Sequence, residues 1–166
     1  STDVHSGWNT PTEQSLADGI AYVHSQGMGV NVKMHVESYT GEWRAHIDPS
    51  DRMTWFNNYN SHVQRFAKVA AAGGAEEMTL GAELIKMASG TWNPTNTTNW
   101  QNIIGGVRQV YSGKLTYSAQ RNEGGGWEAE MENIQFWNDL DILGVSGYYN
   151  LQGNTVAELK DKWDYI

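Results

Sequence analysis

The sequence predicts an α/β fold in which parallel strands alternate with helices, and two features carry this prediction. The first is a set of four short runs rich in apolar residues, each ending in polar or aromatic residues, at 29–37, 78–84, 114–122 and 140–149. The second is a segment with helical periodicity and helix start or stop signals between the runs. Strands joined by such helices are parallel, and their carboxyl ends collect functional groups at one edge of the sheet.

The first helix is predicted over residues 11–26. Thr10 is its expected N-cap, Pro11 occupies the first helical position, and Glu13 closes a capping box with Thr10. Apolar residues follow at helical spacing, and Gly27 is the natural residue to end the helix before the first strand.

The later elements repeat this alternation. A second helix is predicted to open at 48–51 and to end at Gly73-Gly74, directly before the second strand. A third helix holds Trp100 and ends before the strand at 114–122. A short helix over about 133–140 and a final helix from near Thr155 complete the pattern.

The number of strands limits the architecture. Four complete strands are predicted, or five if residues 2–5 are the tail of another. A closed barrel of eight strands and eight helices needs about 200–250 residues, and this chain has 166. We therefore predict a single domain over residues 1–166 that is a partial (β/α)8 TIM barrel, too short to close.

Composition excludes several function classes. The formal charge of −8 opposes binding to nucleic acid and to anionic membranes, and no run is apolar enough for a membrane helix. The five histidines lack metal-binding spacing, cysteine is absent, and Gly124-Gly125-Gly126 lacks the signature of a phosphate-binding loop. We expect a soluble protein with no metal and no cofactor. A secreted or periplasmic location is favoured, although the lack of cysteine leaves the compartment open.

Aromatic residues point to a carbohydrate ligand. The chain has eight tryptophans and eight tyrosines, and several stand in polar or glycine-rich stretches, as Trp8 does. Flat aromatic faces in such places suit stacking on the C–H faces of sugar rings. Any one of them can equally be a core residue, so the prediction depends on the group.

Four blocks carry a resemblance to a known family. They are 33–37 with 41–44 after it, 81–84, 107–117, and 136–144 followed by Tyr148-Tyr149. In their order and spacing they resemble the catalytic barrel of glycoside hydrolase family 113, the endo-β-1,4-mannanases of clan A, over residues 10–151. The resemblance implies a hydrolase that cleaves β-1,4-mannan or a related β-linked polysaccharide by a retaining mechanism.

The resemblance also implies the catalytic residue. The general acid/base of the family falls on Glu83, at the end of the fourth barrel strand, and Ala82 matches the small residue that the family places before it. The family's nucleophile is a glutamate at the end of the seventh strand. The resemblance implies that the chain runs from about the second strand to the sixth helix of the barrel. The sequence therefore stops before the seventh strand, and we expect the nucleophile to be absent from this chain. Retaining hydrolysis needs two carboxylates about 5 Å apart.

Substrate-binding residues are expected at the other strand ends and in the loops after them. Strand alternation places Lys33, His35 and Glu37 on one face. In the next loop, the Trp43 indole beside the Arg44 guanidinium suits a sugar subsite, although a structural role for Trp43 or His35 stays open. Tyr148 or Tyr149 is expected to form a hydrogen bond with the nucleophile, as a tyrosine at this place does in clan relatives. The remaining expected binding residues are Gln120, Asn122, Tyr148, Tyr149 and Trp8.

Two other functions and one assembly are consistent with the sequence. Without a nucleophile, the chain would be a non-catalytic half-barrel that binds carbohydrate. Alternatively, Glu37 or Glu123 would be the second carboxylate of an altered enzyme, although their spacing does not set a distance to Glu83. Because a partial barrel has bare strand edges and, we expect, an exposed apolar interior, self-association is predicted, most simply as a symmetric homodimer.

Overall fold

Four parallel strands form one sheet in the order β1-β2-β3-β4. The computed structural model describes residues 3–121, 126–149 and 151–164. The strands are β1 Asn31–Lys33, β2 Glu77–Ala82, β3 Lys114–Gln120 and β4 Ile142–Ser146. The helices are α1 Glu13–Ser25, α2 Arg52–Gly73, α3 Ile85–Ala88, α4 Thr95–Arg108, α5 Glu130–Asn133 and α6 Val156–Trp163, with short 3-10 turns at Arg44–His46, Gly126–Glu128 and Trp137–Asp139. The predicted α/β alternation with parallel strands is confirmed.

The hydrophobic core fills the space between the sheet and the helices. Its centre is Trp100 of α4, which is fully buried, stacks on Phe136 and meets Tyr117 of β3 edge to face. Aromatic pairs of this kind add to the free energy of burying their area. The largest other buried side chains are Trp55, Tyr59, Ile20, Met78, Leu80, Leu84, Ile85, Met87 and Ile103.

The face of the sheet that does not pack against the helices, called the inner face below, is largely polar. Lys33 Nζ donates to Ser118 Oγ at 3.5 Å, Ser118 is hydrogen-bonded to Ser146 at 3.0 Å, and Thr79 donates to Asn31 at 2.9 Å. These contacts run across all four strands. The expectation of an exposed apolar interior is therefore wrong for this face, because the buried apolar side chains of β1, β2 and β3 lie on the face that packs against the helices. Leu143 of β4 is 56 % exposed. The homodimer stays a prediction, as does the assignment of residues 1–166 to one domain.

Helix ends depend on which side chain meets a free backbone amide. For α1, Thr12 is the N-cap and accepts a hydrogen bond from Ser15 N at 3.0 Å, so the prediction of Thr10 is wrong. Thr10 instead accepts from the amide of Gly7 at 2.9 Å. Asp51 caps α2, and Gly74 ends it in the left-handed conformation with φ 73°. The start of the final helix is confirmed, because Thr155 and Glu158 form a complete capping box.

Two predicted strands are longer than the observed ones, and one predicted helix differs from the structure. The strand expected over 29–37 pairs only at Asn31–Lys33, and the strand expected over 140–149 pairs only at Ile142–Ser146. The helix expected over 133–140 is replaced by α5 and the 3-10 turn at Trp137–Asp139. Residues 3–5, the described part of the proposed fifth strand, are not in a strand. No helix in the described ranges is long and apolar enough to cross a membrane.

Candidate active site

Glu83 follows β2 at the carboxyl-terminal edge of the sheet and has an unusual backbone conformation. Its φ is +52°, a left-handed value that costs a non-glycine residue about 1–2 kcal/mol. Its amide donates to Ser118 O of β3 at 3.0 Å. Two residues earlier, a Cβ on Gly81 would lie 2.8 Å from Trp100 and 2.9 Å from Tyr117, so only glycine fits there. Strained, well-held residues of this kind are typical of functional sites.

Two side chains from the 3-10 turn after β1 hold the Glu83 carboxylate. Arg44 donates to its Oε2 atom at 2.8 Å, and Trp43 Nε1 donates to the same oxygen at 3.2 Å. The side chains of Arg44 and Glu83 are each only 15 % exposed. The turn is anchored by Ala45, which is fully buried, and by a bond from Arg44 Nε to the carbonyl of Val36. Glu83 is thus presented as a hydrogen-bonded carboxylate with one oxygen engaged.

Arg44 also binds a second carboxylate on its outer side. Its Nη2 donates to Glu37, which is in turn 3.3 Å from His35 Nδ1. Partial burial by itself would raise the pKa of Glu37, but the hydrogen bonds from Arg44 and His35 and the charge of Arg44 lower it. Because the Glu37 side chain is 58 % exposed, it lies at the rim of the cluster.

A third carboxylate, Glu130 of α5, is completely buried beside the end of β3. Its Oε1 accepts from the Tyr117 hydroxyl at 2.5 Å and its Oε2 from the Gln120 amide at 2.6 Å. Burial raises its pKa to about 7, with a contribution from the Glu83 charge and against the hydrogen bonds, which lower it. Burial raises the pKa of Tyr117 as well, with the neighbouring Glu130 adding to the effect.

The structure brings together five of the predicted site residues. Glu83, Glu37, His35 and Trp43 belong to the cluster around Arg44. Gln120 joins it through the backbone bond to Glu130. Its side-chain Oε1 is buried and lacks a hydrogen-bond partner among the described residues.

Other predicted residues lie apart from these contacts or outside the described ranges. Trp8 is 98 % exposed, on the segment before α1. Lys33 belongs to the polar row on the inner face of the sheet. Tyr149 meets Trp163 of α6 edge to face, and Tyr148 is exposed with φ +29°. Asn122 and Glu123 lie outside the described residues.

Sequence reasoning missed two residues of the cluster, Glu130 and Tyr117, and gave Arg44 a different role. Arg44 was expected to stand beside Trp43 at a sugar subsite, yet it is the ion-pair partner of Glu83, 39 positions away. Glu130 lies in an acidic stretch typical of a solvated surface, and Tyr117 looks like an ordinary strand residue. Of these three residues, only Arg44 could have been predicted from the sequence, because a buried acid at a strand end needs a cation and a neighbouring loop can supply it. No group of three or more metal-ligating side chains occurs in the described part of the chain.

The sheet, with its charged edge, is part of a (β/α)8 barrel of the kind found in glycoside hydrolases. The model of Glycoside Hydrolase Family 113 matches residues 1–166, so the chain belongs to this family, and the resemblance drawn from the sequence blocks is confirmed. No curated protein matches the chain.

Solved structures agree on the fold. A structure described as a GH113 β-1,4-mannanase is 27 % identical with a TM-score of 0.79, over 99 % of this chain and 52 % of its own. A complex structure of a GH113 β-1,4-mannanase is 26 % identical with a TM-score of 0.76, over 96 % and 49 %. The GH113 β-mannanase AaManA from Alicyclobacillus acidocaldarius, in complex with ManMIm, has a TM-score of 0.74 at 24 % identity, over 90 % and 47 %. The chain thus spans about half the length of these relatives, and the partial barrel is confirmed.

Proposed function

We propose that this chain is the part of a β-1,4-mannan-cleaving glycoside hydrolase that carries the general acid/base, Glu83. The observation that supports this most is the placement of Glu83, at the carboxyl end of a parallel strand, strained in its backbone and held by Arg44 and Trp43. Family membership and the mannanases among the solved relatives support the substrate class.

The contacts of Glu83 suit proton transfer. Arg44 and Trp43 both donate to Oε2, and no hydrogen bond among the described residues reaches Oε1. In the proposed reaction, a protonated Glu83 gives its proton to the glycosidic oxygen while a second carboxylate bonds to the anomeric carbon and the glycosidic bond breaks, which forms a glycosyl-enzyme. The Glu83 carboxylate then takes a proton from the water that displaces the second carboxylate and releases the sugar.

Substrate contacts are proposed on both sides of Glu83. The Trp43 indole is half exposed while its Nε1 binds Glu83, so a sugar ring stacked on it would lie next to the acid. Gln120, which is half-buried at the end of the neighbouring strand, is proposed to contact a sugar hydroxyl through its side-chain amide.

The nucleophile is best placed in a part of the family fold beyond β4. Two carboxylates neighbour Glu83 among the described residues. Glu37 is bound to the same guanidinium, which lies between the two side chains, and Glu130 is completely buried. The Glu130 carboxylate is closed to substrate, and the Glu37 carboxylate, although its side chain is 58 % exposed, is held by Arg44. We therefore infer that the retaining mechanism uses a carboxylate that the described residues do not include, and that Glu37 supports Arg44.

The test is substitution of Glu83 by glutamine, with Glu77→Gln at the opposite end of β2 as the matched control. Reducing-sugar release from galactomannan and glucomannan is compared with release from carboxymethylcellulose. We expect Glu83→Gln to lower mannan hydrolysis by a factor of about 10² or more, the usual contribution of a general acid, while Glu77→Gln keeps it. Unchanged hydrolysis in Glu83→Gln would contradict the assignment.

Because Glu130 is buried and Glu37 is held by Arg44, a second candidate is favoured as well, a half-barrel that binds carbohydrate without cleaving it. Calorimetry with mannohexaose and cellohexaose separates the two candidates when no sugar is released. Trp43→Ala should then abolish binding, and Tyr22→Ala, which removes an exposed aromatic residue of α1, should not. If neither oligosaccharide binds and no sugar is released, both functions are wrong for this chain.

A further inference from the structure

Glu130 is a buried carboxylate that the proposed reaction does not use. It lies on the short helix α5, its side chain is shielded from solvent, and both of its oxygens accept hydrogen bonds. A buried carboxylate is costly to the fold unless its partners compensate for the lost hydration. The hydrogen-bond partners of Glu130 therefore indicate its role.

The contacts of Glu130 lead to the residue after Glu83. The Tyr117 hydroxyl donates to Glu130 Oε1 at 2.5 Å and accepts from the amide of Leu84 at 2.8 Å. Glu130 Oε2 accepts from the amide of Gln120 at 2.6 Å. One carboxylate thus ties the carboxyl end of β3 to the chain that leaves β2.

The backbone that these bonds hold is the strained one. Glu83 has its left-handed φ between two amides that each donate to β3: its own, to Ser118 O at 3.0 Å, and that of Leu84, to Tyr117. Because a left-handed glutamate is unfavourable by itself, bonds on both sides are needed to keep it. The bond at Leu84 depends on where the Tyr117 hydroxyl points.

We propose that Glu130 is a positioning residue for Glu83: by holding the Tyr117 hydroxyl it fixes the Leu84 amide, and with it the backbone that presents the Glu83 carboxylate to Arg44 and Trp43. The functional meaning of this inference rests on the proposed role of Glu83. The backbone coupling itself does not depend on catalysis.

The network suits the ionised form of Glu130. An ionised carboxylate only accepts hydrogen bonds, which matches its two donors, the Tyr117 hydroxyl and the Gln120 amide. A proton on Oε2 would face the Gln120 N–H. A proton on Oε1 would instead be donated to the Tyr117 hydroxyl oxygen, so the Tyr117 O–H would turn away and the bond at Leu84 would change. The titratable groups that act on Glu130 are Tyr117 of β3 and Glu83 after β2, and Arg44 is bound to the far side of Glu83.

The experiment uses nuclear magnetic resonance of the whole chain, labelled with ¹⁵N and with ¹³C at the glutamate carboxyls. In the wild type we expect the Leu84 amide and the Glu83 carboxyl signal to shift with the same midpoint as Glu130, near neutral pH. In Tyr117→Phe, Glu130 should still titrate while the shift of the Leu84 amide becomes much smaller, since only the direct effect of the Glu130 charge remains. Tyr111→Phe is the matched control, because its buried hydroxyl donates to Ala75 O at the other end of the sheet.

Hydrogen exchange supplies a second readout. Exchange at the Leu84 amide should accelerate at least tenfold in Glu130→Gln and in Tyr117→Phe, and stay within twofold of the wild type in Tyr111→Phe. A Leu84 amide that ignores the titration of Glu130 in the wild type overturns the proposal, whether or not the variants fold. So does unchanged exchange in both folded variants.

Activity separates this inference from the proposed function. If Glu83→Gln abolishes mannan hydrolysis, Glu130→Gln should lower kcat with KM nearly unchanged, since no proposed substrate contact is removed. Hydrolysis that depends on Glu83, together with unchanged Leu84 exchange in Glu130→Gln, overturns the positioning role alone. Altered Leu84 exchange, together with hydrolysis that ignores Glu83, overturns the proposed function and supports the backbone coupling.

Discussion

The two edges of the sheet use carboxylates in opposite ways. At the amino-terminal edge, Glu76 precedes β2 and accepts from Val30 N, before β1, at 2.7 Å. Asp141 precedes β4 and accepts from Leu115 N of β3 at 2.7 Å. Each of these exposed carboxylates therefore links the start of its strand to the start of the preceding one.

At the amino-terminal edge, exposure to solvent and hydrogen bonds both favour the ionised form of the carboxyl groups. The pKa of Glu76 is lowered first by the Val30 amide and then by His24, and the pKa of Asp141 first by the Leu115 amide and then by Arg108. At the carboxyl-terminal edge, Glu37 at the exposed rim also has a lowered pKa, but burial dominates at Glu130, whose pKa rises although it has two hydrogen bonds. The same chemical group stabilises the fold at one edge and is maintained against a cost at the other, which is typical of a site shaped by function.

The largest effect is expected from removing the cation at the carboxyl-terminal edge. Arg44→Met keeps much of the side-chain stem but leaves Glu83 without its ion pair, in a site where both groups are 15 % exposed. We expect the free energy of unfolding to fall by about 2–4 kcal/mol, because an unpaired and nearly buried charge is costly. Arg108→Met, which removes the more exposed pair with Asp141, should cost only about 0.2–1 kcal/mol. If urea denaturation shows that both variants lose the same free energy of unfolding, the two edges do not differ in how strongly they depend on their ion pairs.

A smaller effect, of known sign, is expected from Glu130 and pH. Its folded pKa, about 7, lies above its ordinary value of 4.5. The folded state therefore binds the extra proton between these values. Its contribution to stability is fully present below about pH 4.5 and is lost as the pH rises through 7.

Wild-type stability should therefore contain a decrease of about 1–3 kcal/mol from pH 5 to 8, since one pKa unit corresponds to about 1.4 kcal/mol. Urea denaturation at several pH values should show that Glu130→Gln removes this decrease. A variant with the same pH slope as the wild type would mean that Glu130 does not titrate in this range.

The smallest effect is expected from Asp141, and its pH dependence has the opposite sign. Because its folded pKa is lowered from 3.8, its contribution is present above that value and is lost as the pH falls through the folded pKa. Asp141→Asn should cost about 0.2–1 kcal/mol at pH 7, as expected for an exposed pair, and should flatten the acid limb of the stability curve below about pH 4. An unchanged acid limb would show that this edge gains nothing from its carboxylate.

Local signals predicted the elements whose ends are decided by neighbouring residues. Asp51 and Gly74 bound α2, and the Thr155–Glu158 box begins α6, as their residue types require. The start of α1 was misplaced because Thr10 and Thr12 are both competent caps, and only the path of the chain decides which one meets a free amide. Strand ends were overestimated because an apolar run shows what can pair, whereas pairing stops where the neighbouring strand stops.

The sequence by itself determined the α/β class, the order of the strands and helices, and the position of Glu83 after an apolar strand, because periodicity and capping are local properties. The tertiary structure alone decided that Arg44 pairs with Glu83, that Glu130 is buried, and that the inner face of the sheet is polar. These outcomes depend on which distant segments meet and how much water they exclude. That environment sets the ionisation of a carboxylate, and residue type alone does not.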